Sequence, residues 1–216
     1  MTTSPDAKAL IALTVYLIGL ALTFGVRTLQ HHRRTGDPGI RRIASDSSKA
    51  GRLGVWLFAG ALILGAAGPL LTLLVPASTI AMPRWAWWLG LGLALTGLAL
   101  VLAAQQAMGD SWRIGVDPTE RTGLVTTGAF AAVRNPIFST MVLAMAGVLV
   151  MTPNAISAAA LMALIAGMEL QVRAVEEPYL LKAHGPDFLA YAARVGRFVP
   201  FVGRMRNTQQ ATDGGP

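Results

Sequence analysis

Two short polar clusters hold most of the chemistry available to this 216-residue chain. The first is Arg134-Asn135, followed directly by Pro136; the second is Glu169, Arg173, Glu176 and Glu177. Guanidinium, carboxylate and amide groups offer charge-assisted binding and bidentate hydrogen bonding. On one helix, Glu169, Arg173 and Glu177 fall at i, i+4 and i+8 and share a face, with Glu176 three residues beyond Arg173. Exposed to water, such a row is an ion-pair ladder worth roughly a few tenths of a kcal/mol per pair. At membrane depth the same charges are costly and mark a functional site. The absence of cysteine excludes disulfides and thiolate catalysis. His31, His32 and His184 are too few and too scattered to suggest a metal centre.

The elements that position these clusters follow from where charge is missing. The chain is 53% hydrophobic and only 13% charged, against roughly 25% charged in soluble domains. Residues 9–26, 53–83, 85–109 and 135–168 contain no Lys, Arg, Asp or Glu. The first three stretches each suit one membrane span. The fourth, 34 residues long, would reach ~51 Å as a single helix, well beyond a hydrocarbon core of about 30 Å. Pro153-Asn154 near its middle is a turn signal, so a hairpin of two short arms is expected. The chain is therefore an all-α integral membrane protein with five transmembrane helices.

With the N-terminus outside, 16 of the 18 Lys and Arg fall on the inner side, leaving Lys8 and Arg84 outside. This satisfies the positive-inside rule and accounts for the net charge of +7 without nucleic acid. Localisation in a bacterial inner membrane is expected, with the C-terminus and a helical interfacial segment on the cytoplasmic side. Asp6 beside Lys8, and a basic cluster after the first span, mark that span as a retained anchor. Trp85, Trp87 and Trp88 read as an aromatic belt at the outer interface. The Gly90–Gly97 run has no strand before it, so it reads as close helix packing and not as a nucleotide loop.

The hairpin brings the clusters together. Arg134 and Glu169 lie about equally far from Pro153-Asn154, so both mouths meet on the cytoplasmic side. Pro136 suits the first turn of the fourth span; Arg134 taken alone could be one more snorkelling anchor. After Pro178 the chain reads as short amphipathic pieces, with Gly185 ending one and Pro186 opening the next. Phe188, Tyr191, Ala192 and Val195 form an apolar face. Arg194 and Arg197 suit anionic headgroups or the last helix carbonyls. This segment either rests on the membrane or lids the hairpin mouths.

The two clusters resemble the paired signatures of the isoprenylcysteine carboxyl methyltransferase and phospholipid methyltransferase superfamily. The first box is matched by Leu124-Val125, Gly128, Phe130, Arg134, Pro136 and Phe138. The second is matched by Arg173, Glu176, Glu177, Leu181 one place late, Gly185, Tyr191 and Arg197-Phe198-Val199-Pro200. The resemblance covers residues 105–203, which would form a methyltransferase-like core holding the hairpin of residues 136–172. Residues 1–104 would form three N-terminal spans with a basic loop at 27–52, and 204–216 a disordered tail. Asn135 stands where the family has histidine, and Phe138 where it has tyrosine.

The resemblance implies an S-adenosyl-L-methionine-dependent methyltransferase acting on a lipophilic small-molecule or prenylated acceptor among membrane lipids. The implied cofactor-binding residues are Leu124, Val125, Gly128, Phe130, Val133, Arg134, Asn135, Pro136, Phe138, Glu176, Glu177, His184 and Tyr191. The implied catalytic residues are Arg173, Glu177 and Asn135. Carboxylates would hold the cofactor ammonium, Arg134 or Arg173 its carboxylate, and Phe130, Phe138 and Tyr191 its adenine or sulfonium. Asn135 cannot exchange a proton near neutral pH, which favours an already ionised carboxylate acceptor. The competing readings are a nicotinamide-dependent membrane reductase related to steroid reductases, on the C-terminal Arg-x-Pro box, and a non-catalytic membrane scaffold.

Overall fold

The computed structural model describes residues 4–39, 48–109, 115 and 123–205. Arg41, Arg42, Arg113, Arg121 and Arg206 of the positive-inside count lie outside the described residues, as does the expected tail beyond Met205. Five helices follow in order: α1 Pro5–Thr35, α2 Lys49–Leu74, α3 Arg84–Ala107, α4 Pro136–Met151 and α5 Ala155–Arg194. All but α4 are long and apolar enough to cross a membrane. The 16 residues of α4 span ~24 Å at 1.5 Å each, short of a full bilayer core. The chain is an all-α protein built for lipid, as its charge pattern requires.

Local chemistry sets the helix ends. Ser4 and Ser48 accept the backbone N–H of Ala7 and Gly51 at 3.2 and 3.1 Å, capping α1 and α2. Pro136 opens α4, where its missing N–H is no loss. The chain folds back at Thr152-Pro153-Asn154 as expected. Asn154 caps α5 through Ser157 N–H at 2.9 Å, while its amide donates to Gly68 O and Thr72 Oγ1, each at 2.9 Å. Ile80 N–H donates to Pro153 O at 2.8 Å. Both Thr152 and Asn154 are fully buried, so this turn is pinned to the end of α2.

The hairpin arms pack less on each other than on the preceding helices: α4 lies along α3, and α5 along α2. Small residues permit the approach. A Cβ on Gly90 would lie 2.8 Å from Gly147 O, and one on Gly97 2.5 Å from Ala144 N. Gly167 meets Gly54 and Phe58 in the same way on the other side. The Gly90–Gly97 run is thus a packing seam, though Gly92 faces open space. A core of Tyr16, Trp87, Met145, Met151, Leu164 and Met168 joins both pairs.

Two sequence expectations are corrected. Trp87 is buried in that core while Trp85 and Trp88 are exposed, because residues 85 and 88 share one helix face and 87 turns away. The chain does not break after Pro178: α5 runs on to Gly185, whose φ of 50° interrupts it. A π turn over Val172–Glu176 precedes Pro178, and such a widened turn already gives up the regular i→i−4 bonding that proline would disrupt. The apolar face of Phe188, Tyr191 and Ala192, which sequence left open between resting on the membrane and lidding the mouths, packs into a small second core with Leu124, Leu180, Val195 and Met205.

Candidate functional site

Backbone pairing brings the two boxes into one unit. Val133 forms a parallel bridge with Gly196, Arg134 N–H donates to Gly196 O at 2.8 Å, and Asn135 N–H to Arg197 O at 3.0 Å. This lays the entry to α4 beside the segment that follows α5. Ser139 Oγ, one turn into α4, donates to Phe198 O at 2.6 Å.

Arg134 is the hub. Its Nη1 donates to Ala192 O at 3.0 Å and Val195 O at 2.6 Å; its Nη2 donates to Glu177 Oε1 at 2.7 Å and Gly203 O at 3.1 Å. Arg197 closes on the same carboxylate, Nε to Oε1 at 2.7 Å and Nη2 to Oε2 at 2.9 Å. The side chains of Arg134, Glu177 and Arg197 are 3%, 8% and 14% exposed, so the cluster is largely shielded from solvent. Glu177 lies beyond the charge-free part of α5, which ends at Met168. Burial pushes its carboxyl up, but the Arg197 and Arg134 guanidiniums together outweigh that and hold it below the usual carboxylate range. Two cations share one anion, and Arg134 Nε is buried with no hydrogen-bond partner. The cluster therefore has a surplus positive charge.

Several expected residues gather around it. Asn135 Nδ2 donates to Arg197 O at 3.1 Å. Tyr191 OH donates to Phe130 O at 2.6 Å, and Val133, Phe130 and Pro136 are buried. Leu124 packs on the Phe188–Tyr191 core. Gly128, at φ 60°, opens a 3-10 turn, Gly128–Ala131, that carries Phe130. Val125, Glu176 and His184 are half-buried on the flanking segments.

Others do not. Arg173 is exposed and pairs with Glu169 on the outer face of α5, away from the Glu177 clamp. The i+4 spacing failed here because the π turn over Val172–Glu176 inserts a residue and rotates everything downstream. Phe138 packs against the main helical core and not with Phe130 and Tyr191. Arg197 is the residue whose role the sequence understated: read as a headgroup or carbonyl contact, it binds Glu177. A buried carboxylate next to a single arginine was the available signal, since such a group calls for full compensation.

The N-terminal helix also reaches this end. Arg27, only 4% exposed, donates to Gln105 O at 3.1 Å and Gly109 O at 2.8 Å. These are carbonyls at the end of α3, where a cation is favoured. Gln105 Nε2 returns to Thr23 O at 3.0 Å within the π turn Ala21–Val26 of α1. Arg27 is thus a buried clasp between α1 and the end of α3. Between α1, α3, α4 and α5 lies an apolar cavity lined by Tyr16, Phe24, Leu98, Met141, Met145 and Leu164.

In sequence, the chain is similar to known methyltransferases. The phospholipid methyltransferase family profile matches residues 85–187. Protein-S-isoprenylcysteine O-methyltransferases B and A of Arabidopsis thaliana are 32% and 31% identical over 121 residues, which is 54% of this chain. The chain spans 61% of the length of each. The profile match takes in α3, the hairpin and the Arg134–Glu177 pair, so over about half its length the chain is similar to phospholipid and isoprenylcysteine methyltransferases.

Proposed function

We propose that this protein transfers a methyl group from S-adenosyl-L-methionine to the carboxylate of a lipophilic, prenylated or lipid-like acceptor. The observation that carries the reading is the Arg134–Glu177–Arg197 cluster, which ties both boxes of a methyltransferase superfamily together at the hairpin mouth. Its surplus positive charge and the orphaned Arg134 Nε suit the carboxylate of an amino-acid-bearing cofactor. In this reading Glu176, half-buried just before Glu177, would meet the ammonium. The Phe130–Tyr191 pair offers the apolar wall. The cofactor would supply a methyl group made electrophilic by its sulfonium.

The chain's own part is alignment and shielding. Glu177 is fully engaged by two guanidiniums, so in this reading it is a positioning residue that holds Arg134 and Arg197. Asn135 hydrogen-bonds the backbone of Arg197 and cannot act as a base. A carboxylate acceptor is already ionised and needs none, whereas an amine or phenol would. The apolar cavity suits the acceptor's hydrocarbon portion. Methyl transfer is an in-line displacement, for which fixed alignment and exclusion of water supply much of the rate. The exposed Arg173 takes no part in binding on this reading.

The same reading keeps the N-terminus outside and the site cytoplasmic, in a bacterial inner membrane. Lys8, Arg84 and the hairpin tip Pro153 line one surface depression, while Arg27, Arg134 and Arg197 lie towards the other end of the helices. Calorimetric titration of the purified protein tests the cofactor assignment. Saturable S-adenosylmethionine binding, weakened by Arg134→Gln and Glu176→Gln but retained in Arg173→Ala, is the expected result. Saturable NADPH binding without S-adenosylmethionine binding would overturn it.

A further inference from the structure

The loop of residues 196–203 is hydrogen-bonded at both stems and turns an apolar tip outward. Its base is fixed at both stems: Gly196 O and Arg197 O accept from Arg134 and Asn135 N–H, and Gly203 O accepts from Arg134 Nη2. It closes on itself through Arg197 N–H to Val202 O at 2.8 Å and Val202 N–H to Val199 O at 3.1 Å. Phe198 O is held by Ser139, which sets the loop level with the first turn of α4, where the charge-free stretch of residues 135–168 begins.

The tip of this anchored loop exposes Val199, Phe201 and Val202 at 56%, 76% and 63%. Among the described residues at this end of the helices, they are the large hydrophobic groups most exposed outside a helix. Phe201 also sits at φ 69°, the one non-glycine residue with positive φ among those described. A phenyl ring held outward in a disfavoured backbone conformation combines strain with apolar exposure, a pattern that points to a binding role. The Arg204 guanidinium lies over that ring, 4.9 Å from its centroid, leaving a cation beside the apolar tip. Apolar side chains next to a snorkelling cation, level with the start of an apolar helix, match the boundary between acyl chains and anionic headgroups.

We infer that residues 199–202 form a bilayer wedge: Val199, Phe201 and Val202 enter the acyl boundary beside α4, and Arg204 engages anionic lipid phosphate. The wedge fixes the height of the Arg134–Glu177–Arg197 cluster against the membrane surface, because the same backbone carries both.

The chain has no cysteine, so Phe201→Cys and Val199→Cys each give a single attachment point for a nitroxide label in the full-length protein. The labelled proteins are reconstituted into vesicles of phosphatidylglycerol and phosphatidylcholine, with Ile63→Cys, exposed in the middle of α2, as the lipid-facing reference. Collision with oxygen is compared with collision with a water-soluble nickel chelate. The expected result is oxygen-dominated relaxation at both tip positions, in the same sense as at position 63, with a shift toward the nickel chelate in pure phosphatidylcholine. Nickel-dominated relaxation would place the tip in water and overturn the wedge. Shielding from both agents would mean the tip contacts protein and would overturn it equally. An unchanged depth in pure phosphatidylcholine would overturn the role given to Arg204.

Discussion

Replacing Glu177 with glutamine keeps the shape of the side chain but leaves two guanidiniums facing a neutral amide. Glu177 and Arg134 are 8% and 3% exposed at the side chain, so water cannot substitute for the lost charge. Removing one partner of a buried ion pair costs about 3–5 kcal/mol, and here the carboxylate compensates two cations. At about 2–4 °C per kcal/mol for a chain of this size, Glu177→Gln should melt about 6–20 °C below the parent in detergent. Arg173→Ala breaks only the exposed pair with Glu169, worth roughly a few tenths of a kcal/mol, and should melt almost with the parent. Thermal unfolding followed by circular dichroism measures both. Acid provides an independent check. Because Glu177 is held below its ordinary range, its contribution is fully present above the unfolded carboxylate value of about 4.3. It is lost as pH falls through the lower folded value. The variant should therefore show a flatter stability profile in that acid window. Equal melting of Glu177→Gln and Arg173→Ala, or an unchanged acid profile, would refute the view that the cluster holds the mouth together.

Two further outcomes test the fold that carries the cluster. A Cβ at Gly147 would lie 2.6 Å from Gly90 O, so Gly147→Val should separate α3 from α4 and cost about 1–3 kcal/mol by overpacking; Gly92→Ala, facing open space, should be neutral or gain up to about 1 kcal/mol in the same unfolding assay. Asn154→Ala removes both the α5 cap and the tie to Gly68 and Thr72; it should cost about 1–2 kcal/mol from the cap alone, seen as a lower melting temperature and faster amide exchange at the hairpin tip.

Much of the fold was legible because membranes leave few solutions. A 34-residue stretch without charge exceeds the bilayer, so Pro153-Asn154 had to be a turn, and the buried asparagine that caps α5 explains why the turn falls there. The helical glycines read correctly as a group but not singly. Gly90 and Gly97 touch α4 while Gly92 does not, since only the facing helix decides which glycine lies in the seam. Trp87 was misread for the same reason: a tryptophan near a helix end suits the interface until a neighbouring helix covers it. Arg27 shows the limit of counting charges. A charge count gives it only an expected side of the membrane, whereas its burial against Gln105 O and Gly109 O depends on where α3 ends.

The members of the Arg134–Glu177–Arg197 cluster were visible in the sequence, and their pairing was not. Spacing put Arg173 and Glu177 on one face, and that inference holds only for an unbroken α-helix. The π turn over Val172–Glu176 adds a residue, so Arg173 stays outside with Glu169 while Glu177 turns inward. Nothing in Val172-Arg173-Ala174-Val175-Glu176 announces a π turn by residue type. Its cause lies in tertiary demand: a carboxylate wanted by two guanidiniums, one from each side of the hairpin mouth. Arg134 is fixed by the entry to α4, and Arg197 by backbone pairing with that entry. Given those two fixed cations, an α-helical register leaves Glu177 misdirected and both charges uncompensated in a dry site, which far exceeds the cost of widening one turn. The same reasoning separates roles within the second box. The inward carboxylate of Glu177 ties Arg134 to Arg197, and the outward Arg173 pairs with Glu169 on the surface.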